Sequence, residues 1–249
     1  MIAHSLRASL AEQAHVYTIN LEQGKELSSS VRNRYESILS SDELDSCNRF
    51  HFERDRCRRL IAHANLRIVL SKYVDVDPPD WIFEYNRFGR PEIARTLGVS
   101  DLRFNISYSD DLLVILVNNI IDGGIDVERT DGVDDPMQLG QSVFSPYEID
   151  ILQRYQNDGS CRTRFFEYWT LKEAFVKARG VGLSVPLNQF SFSIDINNKV
   201  QIDFSSKLNN NPLTWQFLLE YPTSNHVIGV ALRRGYHPDL SIILRNLII

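Results

Sequence analysis

The chain has 249 residues, 43% of them hydrophobic and 24% charged, with 27 Lys and Arg against 32 Asp and Glu for a net charge of −5. That length holds one large domain or two small ones around a sizeable core, and the composition is that of an ordinary soluble globular protein. No apolar run approaches the ~20 residues that cross a bilayer, and the acidic balance argues against nonspecific nucleic-acid binding as the main task.

The opening MIAHSLRASLAEQAHVYTI lacks the basic start, continuous apolar run and small-residue cleavage site of a secretory signal, so a cytoplasmic location is expected. Cys47, Cys57 and Cys161 are odd in number and stand in no C-x-x-C or Cys/His spacing suited to zinc. They read as free thiols of a reducing compartment.

Along the chain, VYTIN at 16–20 reads as a short strand. SSDELDSCNRF opens a helix with serine and acidic residues, and the segment from Asp55 to Tyr73 continues it, with Leu60, Ile61, Ala64, Leu66, Ile68 and Val69 apolar. DVDPPDW breaks that helix. WIFEYN, FNISY, LLVILV and GIDVE follow as strand-like runs separated by Gly, Pro, Asn and Asp. SPYEIDILQRYQ and RFFEYWTLKEAFVKARG are helical, with Gly180 and Gly182 stopping the second helix and releasing the chain into LSVPL. Strands return in FSFSIDI, KVQIDFS, TWQFLLEY and HVIGVALR, with a loop at NNNP. Strands with a few helices inserted, and no strict β-α-β alternation, predict an α+β fold with antiparallel pairing. Asp122-Gly123-Gly124 marks a boundary between residues 1–122 and 123–249, with helix and sheet on each side.

Four segments carry chemistry. On a wheel advancing about 100° per residue, Leu171, Ala174, Phe175 and Ala178 form a core stripe, and Trp169, Glu173 and Lys177 line up on the opposite side. A Glu–Lys pair at this spacing also suits a plain surface ion pair, but a tryptophan on a solvated face would be wasteful. In GGIDVERT, strand alternation turns Ile125 and Val127 to the core and projects Asp126 and Glu128 together from the other side. Adjacent carboxylates need compensation, from Arg129 and Arg103 or from a hard cation, and oxygen donors without nearby His or Cys specify magnesium or calcium over zinc. Magnesium commonly uses few carboxylates plus substrate phosphate, so Glu173 would complete a site for a phosphorylated ligand, with Lys177 meeting phosphate charge. In FNISYSDD, the hydroxyls of Ser107 and Ser109 stand near a turn and can donate to phosphate. In RFGRPEI, Gly89 and Pro91 shape a turn from which Arg90 projects. A basic cluster, Arg49, Arg54, Arg56, Arg58, Arg59 and Arg67, lies upstream.

Taken in order, RFGRP, FNISYS, GIDVERT and WTLKEAFVKARGVGLSVPL resemble the 4′-phosphopantetheinyl transferases of the surfactin-synthetase-activating (Sfp-like) type, from about Ser40 to Phe190. The most specific feature is a G-x-D-x-E followed roughly forty residues later by W-x-x-K-E-A-x-x-K. The resemblance implies two similar halves related by a pseudo-twofold axis, with coenzyme A and Mg²⁺ in the cleft between them. Residues 1–122 would bind the coenzyme A nucleotide, and residues 123–249 would hold the metal and pyrophosphate and dock the carrier. It also implies a reaction, in which the phosphopantetheine arm of coenzyme A moves to a serine hydroxyl of an apo acyl- or peptidyl-carrier protein and adenosine 3′,5′-bisphosphate leaves.

The family's metal carboxylates fall on Asp126, Glu128 and Glu173, its phosphate-binding lysine on Lys177, and its nucleotide-holding basic residues on Arg58, Arg59 and Arg90. Glu173 and Lys177 become the catalytic pair, and Ser107 a coenzyme A contact. Tyr108 stands where F-N-x-S-H-S usually has histidine, exchanging a charge-capable contact for a neutral phenol, and Glu43 and Ser46 stand where relatives often carry lysines. The carrier-docking loop would be 130–144, with apolar Met137, Leu139 and Val143. A monomer is expected, without membrane or nucleic-acid partners. Two other classes fit part of the pattern. A Mg²⁺-dependent nucleotide phosphohydrolase would share the carboxylates, and a noncatalytic carrier-binding module would suit the loss of histidine at Tyr108.

Overall fold

A computed structural model describes residues 2–21, 27–99, 101–119, 121–156, 159–182, 185–208 and 210–248, with side chains from residue 5 onward; Leu183 and Ser184 of the LSVPL stretch lie outside the described residues. The elements in chain order begin with α1 (Ile2–Ser9), β1 (Gln13–Asn20), α2 (Ser29–Glu36), α3 (Ser41–Asn48), α4 (Glu53–Leu70), β2 (Phe83–Tyr85), β3 (Pro91–Ile93), β4 (Leu102–Ser109) and β5 (Leu112–Asn119). They continue with β6 (Asp122–Arg129), α5 (Pro136–Val143), α6 (Pro146–Arg154), α7 (Cys161–Arg179), β7 (Phe190–Ile194), β8 (Val200–Phe204), β9 (Gln216–Thr223), β10 (His226–Arg233) and β11 (Ser241–Leu247). The mixture is α+β, as the order of strand and helix signals predicts. No helix among the described residues is long and apolar enough to cross a membrane.

The chain forms two compact units, one of Met1–Glu84, Glu92–Ile120 and Ser241–Ile249, the other of Tyr85–Pro91 and Ile121–Leu240. These units differ from the expected division into 1–122 and 123–249 in residues 85–91, 121–122 and 241–249. Residues 241–249 join the first unit because β11 pairs in parallel with β1, from Gln13 opposite Ser241 to Ile19 opposite Leu247. Residues 85–91 join the second because their turn bonds to the end of α7.

The first unit is built on a sheet of order β11-β1-β5-β4, antiparallel except at β11. Strand β5, LLVILVNN, is apolar on both faces, and Leu112–Val117 are all buried. Helix α4 contributes Leu60, Ile61, Ala64, Leu66, Val69 and Leu70 to the core. The single helix expected over this region is divided in two, because Phe52 takes an extended backbone at the start of α4. Helix α3 opens on a capping box in which the Ser40 Oγ accepts from the Glu43 N–H and the Glu43 carboxylate accepts from the Ser40 N–H.

Glu43 is buried, and its Oε2 also accepts from Arg67 Nη2 at 2.6 Å and Nε at 3.0 Å, while Oε1 lies 3.0 Å from His63 Nδ1. Burial alone would raise its pKa, but the bonds from His63, Arg67 and the Ser40 N–H prevail and hold it at about 2. The residue that departs from the family's lysine is thus an internal anchor of this unit.

The second unit is a three-stranded antiparallel sheet, β6-β10-β9, crossed by α7 and joined by the β7–β8 hairpin. Leu171, Ala174, Phe175 and Ala178 of α7 are fully buried in the core, as the periodicity predicts. Two glycines bring helix and sheet together. A Cβ on Gly124 would lie 2.0 Å from the Ala174 O and 2.4 Å from the Ala178 N, and one on Gly229 would lie 2.7 Å from the Thr170 carbonyl. No side chain larger than hydrogen fits there, so α7 rests directly on the backbones of β6 and β10.

Candidate active site

Strand β6 and helix α7 bring together the acidic and basic residues that the sequence singles out. Residues 124, 126 and 128 alternate onto the face that α7 covers, while Ile125 and Val127 are buried on the other. On α7, residues 170–172, 174–176 and 178 are buried, and Trp169, Glu173 and Lys177 are the half-buried line spaced four apart. Lys177 Nζ donates to Asp126 Oδ1 at 2.6 Å and to the Ile125 carbonyl at 3.2 Å. Asp126 is only 4% exposed, so α7 covers the carboxylate that alternation sends to this face. Glu173 has its pKa raised, first by burial and then by the negative charge of Asp126, with Lys177 opposing. Asp126, Glu173 and Lys177 therefore share one electrostatic site, and Glu128 stands half-buried two residues along the same strand face. Trp169 stacks on Phe165 with ring centroids 6.2 Å apart and planes at 9°, so its ring extends the core alongside the charged line.

Among the described residues no group of three or more His, Cys, Asp or Glu side chains is closed into a metal cage. The donor chemistry nevertheless fits a magnesium ion, which takes one or two carboxylates and completes its shell with water and substrate phosphate. At Glu173, burial and the Asp126 charge outweigh the Lys177 ammonium, which is the imbalance a hard cation would correct.

Arg90 belongs to the second unit and lies at the end of α7. Its Nη1 donates to the carbonyls of Lys177 at 3.3 Å and Ala178 at 3.1 Å. Beside it, Asn86 Nδ2 donates to the Gly180 carbonyl at 3.0 Å. Arg58, Arg59, Ser107 and Tyr108 all belong to the first unit. Arg58 reaches from α4 to Asp110 in the β4–β5 turn, Nη2 to Oδ1 at 3.5 Å, and to Asp55 at 3.6 Å. The arginine thus meets the end of the strand that carries Ser107 and Tyr108, where Tyr108 is 39% exposed. Arg59 diverges and lies over the Phe50 ring, 6.0 Å from its centroid. The neighbouring arginines of the cluster therefore do not form one patch.

A buried ion pair that the sequence reading did not include joins α7 to α6. Lys172 and Glu148 are both 0% exposed, with Nζ 2.9 Å from Oε2. Lys172 also donates to the carbonyls of Leu187 and Phe190 at 2.7 Å each, and its ammonium lies 4.2 Å from the Phe190 ring centroid. Glu148 accepts from the Ser145 N–H and Oγ and from the Phe192 N–H. Burial pulls the Lys172 pKa down against the raising effect of Glu148. The capping-box signature S-P-Y-E was a readable sign of Glu148; nothing in the local sequence announces its lysine. In the expected docking segment, Met137 is buried in the core and Val143 packs partly against it, whereas Leu139 is 41% exposed. Met137 is therefore a packing residue, because α5 turns it inward.

Fold and site together define a protein of phosphopantetheinyl-transferase type, and two family models agree. Residues 28–119 match the 4′-phosphopantetheinyl transferase N-terminal model and residues 123–231 the 4′-phosphopantetheinyl transferase superfamily model. The 4′-phosphopantetheinyl transferase HetI of Nostoc sp. is 31% identical over 230 residues, covering 92% of each chain. The 4′-phosphopantetheinyl transferase Sfp of Bacillus subtilis is 29% identical over 189 residues, 76% of this chain and 80% of that protein. The chain belongs to the 4′-phosphopantetheinyl transferase family. A crystal structure of Helicobacter pylori holo-[acyl-carrier-protein] synthase in complex with coenzyme A aligns over 44% of this chain and 96% of that one, at 19% identity and a TM-score of 0.36.

Proposed function

We propose that this transferase moves the 4′-phosphopantetheine arm of coenzyme A to a serine of an apo acyl- or peptidyl-carrier protein, with Mg²⁺ held by Asp126, Glu128 and Glu173. The observation that carries the reading is the meeting of β6 and α7, where the Lys177 ammonium lies 2.6 Å from the buried Asp126 and Glu173 feels the charge of both. The bound metal would neutralise pyrophosphate charge. The serine Oγ attacks the β-phosphorus of the pyrophosphate, the bridging P–O bond breaks, and adenosine 3′,5′-bisphosphate leaves with the bonding electrons. Glu173 takes the serine proton on its carboxylate, whose pKa burial and the Asp126 charge raise from its ordinary value. Lys177 exchanges part of its contact with Asp126 for the departing phosphate, whose growing charge it stabilises. Arg58 and Arg59 of the first unit and Arg90 of the second are the basic residues assigned to the nucleotide and its 3′-phosphate, Ser107 is a coenzyme A contact, and the Tyr108 phenol is a neutral one.

Leu139, exposed on α5, is the apolar contact offered to the carrier. The same reading has the protein acting as a cytoplasmic monomer, to which its three buried cysteines are suited. The test is intact-mass analysis of several apo-carriers after incubation with coenzyme A and Mg²⁺. A mass gain of one phosphopantetheine arm supports the reading. Hydrolysis of coenzyme A without carrier, or tight carrier binding without mass gain, overturns it.

A further inference from the structure

We propose that Asn86 is a positioning residue for phosphopantetheine transfer, acting through Arg90 and Gly180 on the C-terminal end of α7; the inference rests on the function proposed above. Helix α7 ends at Gly180 in the left-handed conformation, φ 62° and ψ 23°, with the Gly180 N–H shared between the carbonyls of Val176 and Lys177. The last carbonyls of any helix have no partner within it, and they carry the negative end of its dipole. Here the partners come from the turn at residues 86–90. Arg90 serves the carbonyls of Lys177 and Ala178, and Asn86 that of Gly180.

The turn is itself made rigid by Asn86. Its Oδ1 accepts from the N–H groups of Phe88 at 2.9 Å and Arg90 at 3.1 Å, and its backbone N–H and carbonyl bond to the Arg90 carbonyl and the Gly89 N–H. Gly89, at φ +84°, permits the reversal. One amide side chain thus shapes the turn with its oxygen and holds the helix with its nitrogen. Phe88 from the same turn lies against Gly182, where a Cβ would be 3.7 Å away.

The functional consequence follows from which carbonyl is held. Lys177 presents its ammonium to Asp126 and its carbonyl to Arg90, so the turn grips the same residue that the site uses. A fraying last turn would let this ammonium and the Glu173 carboxylate one turn earlier drift along the helix axis. A misplacement of about 1 Å is worth about 100-fold in rate. Asn86 is absent from the set of residues expected to touch nucleotide but shapes the turn that carries Arg90, so kcat at saturating coenzyme A together with exchange at the helix end, and not KM, separates positioning from binding.

The experiment compares Asn86→Asp and Asn86→Ala with the unaltered 249-residue chain. Asn86→Asp keeps an acceptor for the turn and loses the donor to Gly180, and Asn86→Ala loses both. The readouts are steady-state transfer with coenzyme A varied, thermal unfolding, and amide hydrogen exchange. Both variants should lower kcat at saturating coenzyme A by about 10-fold or more, while the KM for coenzyme A reports any movement of Arg90 separately. Exchange should quicken over residues 174–180 and stay unchanged over 161–170, with Tm falling by no more than about 4 °C. An unchanged kcat, or a raised KM at unchanged kcat, would overturn the inference, and so would unaltered exchange at the helix end. If the unaltered protein modified no carrier, the proposed function would fail, and the exchange measurement would decide the clamp by itself.

Discussion

Replacing Gly124 by alanine adds one methyl group at the tightest contact between β6 and α7. The new Cβ would lie 2.0 Å from the Ala174 O, roughly 1.4 Å inside an ordinary 3.4 Å contact, and 2.4 Å from the Ala178 N. Both obstacles are helix backbone, so no side chain can rotate away and α7 must withdraw as a whole. Overpacking of this kind costs about 3 kcal/mol or more when the backbone has to shift. At about 2–4 °C per kcal/mol for a domain near this size, Tm should fall by about 6–12 °C. Withdrawal by more than 1 Å also separates the 2.6 Å contact between Lys177 Nζ and Asp126 Oδ1. Transfer should therefore drop by about 100-fold even below the new Tm. Thermal unfolding and single-turnover transfer, followed by intact mass of the carrier, measure both effects. Gly132→Ala is the control, because its Cβ would meet nothing closer than 3.6 Å and stability should change by less than about 0.5 kcal/mol. A Gly124→Ala protein with Tm within about 2 °C of the parent and a normal rate would refute the account of how helix and strand meet.

Glu173→Gln should abolish transfer while leaving Tm equal to or above that of the parent, since it removes a half-buried negative charge beside Asp126; a normal rate would take Glu173 out of the mechanism. Lys172→Met leaves Glu148 buried and unpaired, and should lower stability by about 3–5 kcal/mol in denaturant titration, with the Glu148→Gln, Lys172→Met double variant less unstable than the sum of the single changes. The folded pKa of Glu43, about 2, lies below the ordinary 4.5, so its stabilisation is complete above about pH 4.5 and is lost as pH falls toward 2. Glu43→Gln should accordingly flatten the stability profile in that window and weaken the protein at neutral pH by a few kcal/mol. Leu139→Asp should raise the KM for carrier about 10-fold without moving that for coenzyme A, whereas Met137→Asp should act through a lowered Tm, as its side chain is buried.

The two elements of the site were legible because each has a strict period. The four-residue spacing of Trp169, Glu173 and Lys177 opposite an apolar stripe survives folding, as does the alternation that puts Asp126 and Glu128 on one face of β6. A period says which side a residue takes and not what covers that side, so the burial of Asp126 under α7 was out of reach. Arg90 read as a cation projecting from a turn, because its carbonyl partners lie 87 and 88 residues further along the chain. Glu43 read as a missing basic residue, although its capping-box spacing was visible and only Arg67 and His63 reveal it as an anchor. Strand β11 went unread for a similar reason, since SIILRNL finds its partner in β1 at the other extreme of the sequence.

The return of β11 has a consequence for synthesis. Residues 85–91 and 121–240 form one compact unit, and they are made while the sheet of the other still lacks the strand at 241–247. At about 5–20 residues per second, the ribosome adds residues 121–240 in roughly 6–24 s. During that interval β1 presents an open border of unpaired N–H and C=O groups to solvent or to a chaperone. The first part to emerge is thus among the last to be completed, and the later part can finish folding ahead of it.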